Sequence, residues 1–301
     1  MNEFTPAETV ACCKLIDLAF AEDFGGDAAW RADLTSLFFI PAGSDGAADV
    51  VARSAGVIAG LPAIELVFGS LSKEFRVESR VADGAKVSAG TVIATVSGPM
   101  NLLLSGERTA LNFVQHLSGI ATLTRRYVDA IAGLPAKILD TRKTIPGWRL
   151  LAKCAVRQGG GHNHRVGLYD GVLIKDNHLA FALSRFRQSI PMIIQNARKQ
   201  PRLSKLDEKL PIEIEVDTLE QFEDALAGRP DIVLLDNMTV EQMSEAVRHR
   251  NLAAPTVLLE ASGGVNLQTA RGIAETGVDR ISVGALTHSA PALDIALDYR
   301  S

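Results

Sequence analysis

Apolar positions recur at helical spacing over residues 7–22, which predicts an opening helix. Residues 48–58 (ADVVARSAGVI) read as a strand interrupted at Gly56, and 61–71 as a short helix after Gly60. Two more strands are predicted over 75–82 and 91–96, bounded by the turn signals Asp83-Gly84 and Ala89-Gly90. Ser105 stands where an N-cap belongs, ahead of a long helix to about residue 132 with Leu111, Val114, Leu117 and Ala121 on one face. From about residue 136 the rhythm changes. Six short apolar runs (AKILDT, GVLIKD, PIEIEVD, DIVLLDN, PTVLLEAS and DRISVGA) alternate with helix-like segments. Continuous Val/Ile/Leu runs between amphipathic segments predict a parallel sheet covered by helices.

The polar residues sharpen this picture. Each run ends in chemistry-bearing side chains or glycine: Asp140-Thr141-Arg142-Lys143, Lys175, Glu215 with Asp217, Asp236-Asn237, Glu260 with Ser262, and Gly284. Polar groups at the C-terminal ends of successive parallel strands mark the active face of an α/β barrel. The last two runs close on Ser262-Gly263-Gly264 and on Gly284-Ala285, where barrels commonly place a phosphate against backbone N–H groups. Residues 185–210, with many Lys, Arg, Gln and Pro, read as a solvated helix and loop.

Composition excludes several classes. A chain of 301 residues with 47% hydrophobic and 22% charged residues is an ordinary globular protein, long enough for two domains. No apolar run reaches the ~18 residues of a membrane helix. The N-terminus MNEFTPAETV is acidic and polar, unlike a secretory signal, and three cysteines make no disulfide framework. A cytoplasmic, reduced location is the expectation.

Charge is distributed unevenly. The net charge is −4, yet residues 140–178 hold seven Lys/Arg against three Asp, a local +4 that leaves −8 for the rest. A compact positive island in an acidic chain points to a local anion site, not to a nucleic-acid surface. Within it, Arg142 and Lys143 before Pro146-Gly147 suit a carboxylate clamp and a phosphate point charge. The GGGHNHR run suggests a metal site with Cys154 and His178, but no ligand pair has zinc-like CxxC or HxxxH spacing. His162 and His178 read as loop histidines satisfied by backbone. Glu215, Asp217 and Asp236 at a barrel mouth could serve as general base, Mg²⁺ ligand or hydroxyl acceptor; Asp217 also fits a helix N-cap. Arg108, read as lying in the first turn of its helix, opposes the dipole there, so helix stability does not explain it.

The stretch DTRKTIPGWRLLAKCAVRQGGGHNHRVGLYDGVLIKDNH closely resembles the quinolinate phosphoribosyltransferases, and the resemblance runs from about residue 15 to the C-terminus. It implies an N-terminal α/β sandwich over 1–115, rejoined by about 289–301, and an open, incomplete α/β (TIM-like) barrel over 116–288 carrying the active site. The implied reaction joins quinolinate to phosphoribosyl pyrophosphate and yields nicotinate mononucleotide, pyrophosphate and CO₂ in NAD biosynthesis. The resemblance places Arg142, His164, Arg165 and Lys175 on the pyridine dicarboxylate and Lys143 on substrate as well. Glu215 and Asp236 would hold the ribose hydroxyls and keep Mg²⁺ near the diphosphate, largely through substrate phosphates. Ser262, Gly263, Gly264, Gly284 and Ala285 would line the phosphate side. In SGERTALNF, Arg108 would reach the partner's pocket with Glu107 in support, in a homodimer or dimer-based hexamer with shared sites. No membrane partner is implied. Departures from the family pattern are Ile145 and Trp148, a longer spacer GGDAAWR before Asp33-Leu34-Thr35-Ser36, and a longer 185–210 segment. Two other readings compete: a same-fold paralogue of the molybdate-transport-associated type acting on another acceptor, and a non-catalytic anion-binding barrel.

Overall fold

The computed structural model describes residues 4–25, 33–200 and 210–300. Most of the GGDAAWR spacer and residues 201–209 therefore lie outside the described residues. The chain forms two compact units. One contains the chain up to Arg125, Lys143–Gly161 and everything from Ala285 on; the other contains Arg126–Arg142 and His162–Gly284. Lys143–Gly161, inside the range expected for the barrel, thus packs with the first unit.

The first unit is built on an antiparallel sheet of β1 (Asp45–Ala52), β3 (Arg76–Ser79), β5 (Val92–Pro99) and β12 (Ile295–Arg300), in the order β12-β1-β5-β3, while β2 (Gly56–Val57) and β4 (Lys86–Val87) pair separately. The last strand pairs Ile295 through Arg300 with Ala52 through Ala47, so the C-terminal segment returns to this unit. Helix Leu61–Leu71 buries Leu61, Ile64, Val67 and Phe68, an apolar surface too wide for a solvent-facing helix. Its N-terminus follows Gly60, whose φ of +92° few other residues adopt. The Asp83 carboxylate accepts the Gly60 and Leu61 amides, each at 3.0 Å, capping a helix that has no capping side chain of its own.

The long helix starts earlier than its sequence suggests. It runs Met100–Ala130, so Ser105 lies inside it, its Oγ donating to Asn101 O at 2.9 Å and to Asp33 Oδ2 at 2.6 Å. Arg108 is therefore two turns in, and the argument from an unfavourable first-turn position does not hold. Leu111, Val114, Leu117 and Ala121 are buried as their spacing predicts. Trp148 packs on Phe113 and His116 of this helix, with centroids 4.9 and 5.0 Å away, which makes it a packing residue.

The second unit carries six parallel strands: β6 (Lys137–Leu139), β7 (Val172–Ile174), β8 (Ile212–Val216), β9 (Ile232–Asp236), β10 (Leu258–Ser262) and β11 (Arg280–Ser282). Every one of the six apolar runs supplies a strand. Their order, β6-β11-β10-β9-β8-β7, leaves β6 and β7 as edges, so the barrel is open among the described residues. Beyond β6 the chain makes one further parallel bridge, Leu139 to His162. Between β7 and β8 lie helices Asp176–Phe186 and Ile190–Arg198; the second buries Ile190 and Ile194 and is not wholly solvated. No described helix is long and apolar enough to cross a membrane.

Candidate active site

Because the strands are parallel, their C-terminal ends share one face of the second unit, and the polar residues of the six runs gather there. After β6, Asp140 is fully buried, and its carboxylate accepts the His164 amide at 2.9 Å and Asn163 Nδ2 at 2.6 Å. His162 is held by backbone: its amide donates to Ile138 O at 2.8 Å, and its carbonyl accepts the Asp140 amide at 3.1 Å. The 162–165 loop is thus laced to the end of β6, next to Arg142.

Arg165 donates through a guanidinium nitrogen to Gly171 O at 3.0 Å. Burial first, and then the Arg142 charge beside it, lowers the Arg165 pKa. Like charges near each other would favour an anion between them. Lys175, directly after β7, donates from Nζ to Glu215 Oε2 on β8 at 2.5 Å, with the glutamate side chain largely buried. Asp236 ends the neighbouring strand β9, and its Oδ2 accepts Asn237 Nδ2 at 2.8 Å. Glu215 Oε1 and Asp236 Oδ1 have no hydrogen-bond partner among the described residues.

The end of β10 is built for close approach by backbone. Asn237, at φ +55°, donates its amide to Ser262 O at 2.9 Å. Gly263 has φ +87°, and a Cβ there would stand 2.1 Å from Asn237 Oδ1 and 2.9 Å from Asn237 N. Gly264, at φ +59°, faces open space. Gly263→Ala is expected to cost about 1–2 kcal/mol from the left-handed backbone alone, measured as a lower midpoint of denaturant unfolding. An unchanged midpoint would mean that this turn relaxes freely. Gly284 follows β11, and Ala285 begins the short helix Ala285–His288 of the first unit. Thr287 Oγ1 of that helix donates to Lys143 O at 2.8 Å; the Lys143 side chain is exposed.

His164 has protein partners at both ring nitrogens. Its Nε2 lies 3.1 Å from Glu213 Oε2 and 3.3 Å from Glu260 Oε1, while its Nδ1 accepts the Arg165 amide at 2.7 Å. Both ring nitrogens are engaged by protein, so a direct bond to a ligand carboxylate requires one of these contacts to open. Burial opposes a charge on His164, but Glu213 and Glu260, accepting at Nε2, outweigh it and raise its pKa. The Arg165 amide works against a second ring proton because it needs the bare Nδ1 lone pair, and the geometry is that of the neutral ring with its proton on Nε2. Burial raises the Glu213 carboxyl. Glu260 is also buried, which opposes ionisation, but His164, Arg280 and Ser282 outweigh this and leave it lowered.

His164, Glu213 and Glu260 are close enough together to suggest a metal site. The Arg165 amide argues against one, because it needs the Nδ1 lone pair and so leaves the ring proton on Nε2. A metal-bound histidine does the reverse, giving its outer N–H to an acceptor. The other proposed ligands have structural roles. Burial pushes the Cys154 thiol up to about 11, and His178 Nδ1 accepts the Lys175 amide at 2.9 Å, closing the first turn of helix Asp176–Phe186. Asp217 is exposed; Thr218 is the N-cap of helix Leu219–Gly228.

The two halves of this chain match the models for the N-terminal domain (residues 33–118) and the C-terminal domain (residues 120–298) of quinolinate phosphoribosyl transferase. The chain belongs to the quinolinate phosphoribosyltransferase family. It is 47% identical to the carboxylating nicotinate-nucleotide pyrophosphorylase of Mycobacterium leprae, over 90% of this chain and 93% of the relative. It is 42% identical to a probable enzyme of the same name from Bacillus subtilis, over 95% and 92%. Among solved structures, the nicotinate-nucleotide pyrophosphorylase of Francisella tularensis superposes with a TM-score of 0.87 at 36% identity, covering 99% of this chain and 98% of that one. Family membership confirms the fold expected from the six strand runs. Glu213 escaped sequence reasoning, and Glu260 was noted only as a strand-end acid. The available signal was IEIEV: it puts Glu213 on the same strand face as Glu215, inside a sheet whose apolar runs predict burial.

Proposed function

We infer that this chain converts quinolinate and phosphoribosyl pyrophosphate into nicotinate mononucleotide, pyrophosphate and CO₂, a step of NAD biosynthesis. The observation that carries this reading at the level of residues is the Arg142–Arg165 pair, set on the same strand-end face as Lys175–Glu215 and Asp236. The two arginines and Lys175 bind the two carboxylates and turn the ring nitrogen toward the anomeric carbon. Glu215 and Asp236 hold the ribose, the backbone at Ser262–Gly264 and Gly284 takes phosphate, and Lys143 is a phosphate-binding cation. Orientation and electrostatics supply the acceleration, since departure of pyrophosphate leaves cationic character on the sugar. The new bond makes the ring nitrogen cationic. That charge stabilises the electron pair left on the ring carbon when the adjacent carboxylate leaves as CO₂, and a proton then bonds to that carbon.

A divalent cation fits the donor set. Magnesium takes few protein carboxylates and prefers phosphate and water oxygens, and Glu215 and Asp236 each keep one oxygen without a partner among the described residues. Bound there, it would neutralise charge on the diphosphate. The protein would be cytoplasmic and at least a homodimer, with Arg108 entering the partner's site.

The test is acceptor choice. A monocarboxylate leaves part of the cation cluster desolvated and unpaired, so pyrophosphate release with quinolinate should exceed that with nicotinate by at least about 100-fold. Equal use of the two acids would favour the paralogue. No release with either would favour the anion-binding barrel.

A further inference from the structure

We propose that Glu213 and Glu260 are positioning residues for the acceptor acid, which fix the His164 ring and through it the Arg165 backbone; this rests on the phosphoribosyl-transfer reading above. The placement starts with the sheet. Glu213 and Glu215 are two residues apart on β8 and so share a face. Leu234 on β9 pairs with both Glu215 and Glu260, which puts all three carboxylates on that face. Glu213 and Glu260 are 4% and 0% exposed.

Stability is a poor explanation for two carboxylates at that depth. Burying an ion costs several kcal/mol, and apolar residues of similar size often serve the fold as well or better. Glu260 is compensated, with Arg280 Nε at 2.6 Å from Oε2 and Ser282 Oγ donating to Oε1. Glu213 is compensated less: His164 takes Oε2, and Oε1 has no partner among the described residues. What the arrangement does secure is the histidine. Two carboxylates accept at Nε2, the Arg165 amide donates to Nδ1, and Asp140 accepts the His164 amide. One tautomer and one ring plane satisfy the three ring contacts, and Asp140 holds the backbone. The chain of contacts then reaches Arg165, whose side chain is anchored on Gly171 O and feels the Arg142 charge. Loss of either carboxylate frees the ring, and the Arg165 amide loses its fixed acceptor.

The proposal is tested with Glu213→Gln and Glu260→Gln, which keep shape but lose charge. The two variants are compared with wild type by steady-state kinetics and by ¹⁵N-histidine NMR, with His164→Asn identifying the resonance. Wild type should show His164 with its proton on Nε2 and a bare Nδ1. In each folded variant that signature should change. The quinolinate KM should rise by roughly ten- to a hundredfold, by analogy with groups that orient a metal-bound histidine, while the KM for phosphoribosyl pyrophosphate stays within about twofold. A proton on Nδ1 in wild type, or an unaltered spectrum in folded variants, overturns the proposal. So does a fall in kcat with both KM values unchanged, which is what a merely structural role produces. Should Glu260→Gln not fold because Arg280 is left buried, Glu213→Gln and the wild-type spectrum still decide. A wild type that ignores quinolinate but shows the expected tautomer and its loss would overturn the reaction and leave the positioning of His164 standing.

Discussion

Arg165→Ala and Arg142→Ala each give a folded protein that no longer turns over quinolinate at ordinary concentrations. The Arg142 charge helps lower the Arg165 pKa, so repulsion between the two is a cost to the ligand-free protein. Removing one relieves that cost but also gives up its contacts, such as the Arg165 bond to Gly171 O, so the thermal midpoint should change little. Binding pays instead, because the dicarboxylate loses a charged partner in a desolvated site, a loss of about 2–5 kcal/mol. That corresponds to a fall of roughly 30-fold to several thousandfold in kcat/KM. Thermal melts and quinolinate saturation curves check both halves. Near-normal saturation in both variants would remove these arginines from the acceptor site.

The second large effect concerns Arg108. It is exposed, and the described residues offer its side chain no hydrogen bond or ion pair. Its first-turn rationale is gone, so the case rests on family membership and on this free, solvent-facing cation. If Arg108 serves the partner's site and Lys143 its own, Arg108→Ala and Lys143→Ala homodimers are each inactive. Unfolding and refolding the two together should then restore activity. Random pairing makes half the dimers mixed, each with one site carrying both defects and one carrying neither, so recovery should approach roughly a quarter of wild type. Mixed dimers without recovery would place Arg108 within its own chain's function or outside function altogether.

Much of the barrel was legible because its signals are local. Six Val/Ile/Leu runs became six strands since a parallel sheet buries both faces and tolerates few polar residues within a strand. The strand-end residues Lys175, Glu215 and Asp236 could be placed on one face without coordinates, because parallel strands all present the same end. Trp148 was recognisable as a departure from the family, but only the packing on Phe113 and His116 made it structural.

The sequence by itself determined the strand count, the strand-end chemistry and the cationic island, all of which follow from side-chain pattern along a strand and from composition within a short window. Only the tertiary structure decided the rest. Helix Met100–Ala130 begins before its apparent cap because Ser105 finds its partners in Asn101 and in Asp33, far away in sequence. Lys143–Gly161 packs with the first unit although both its flanks belong to the second. Glu213 and Glu260 are 47 positions apart in the sequence, and nothing local shows that they meet. They meet on His164 because β8, β9 and β10 are neighbours in one sheet, and strand order is set by long-range pairing that no short window of sequence contains.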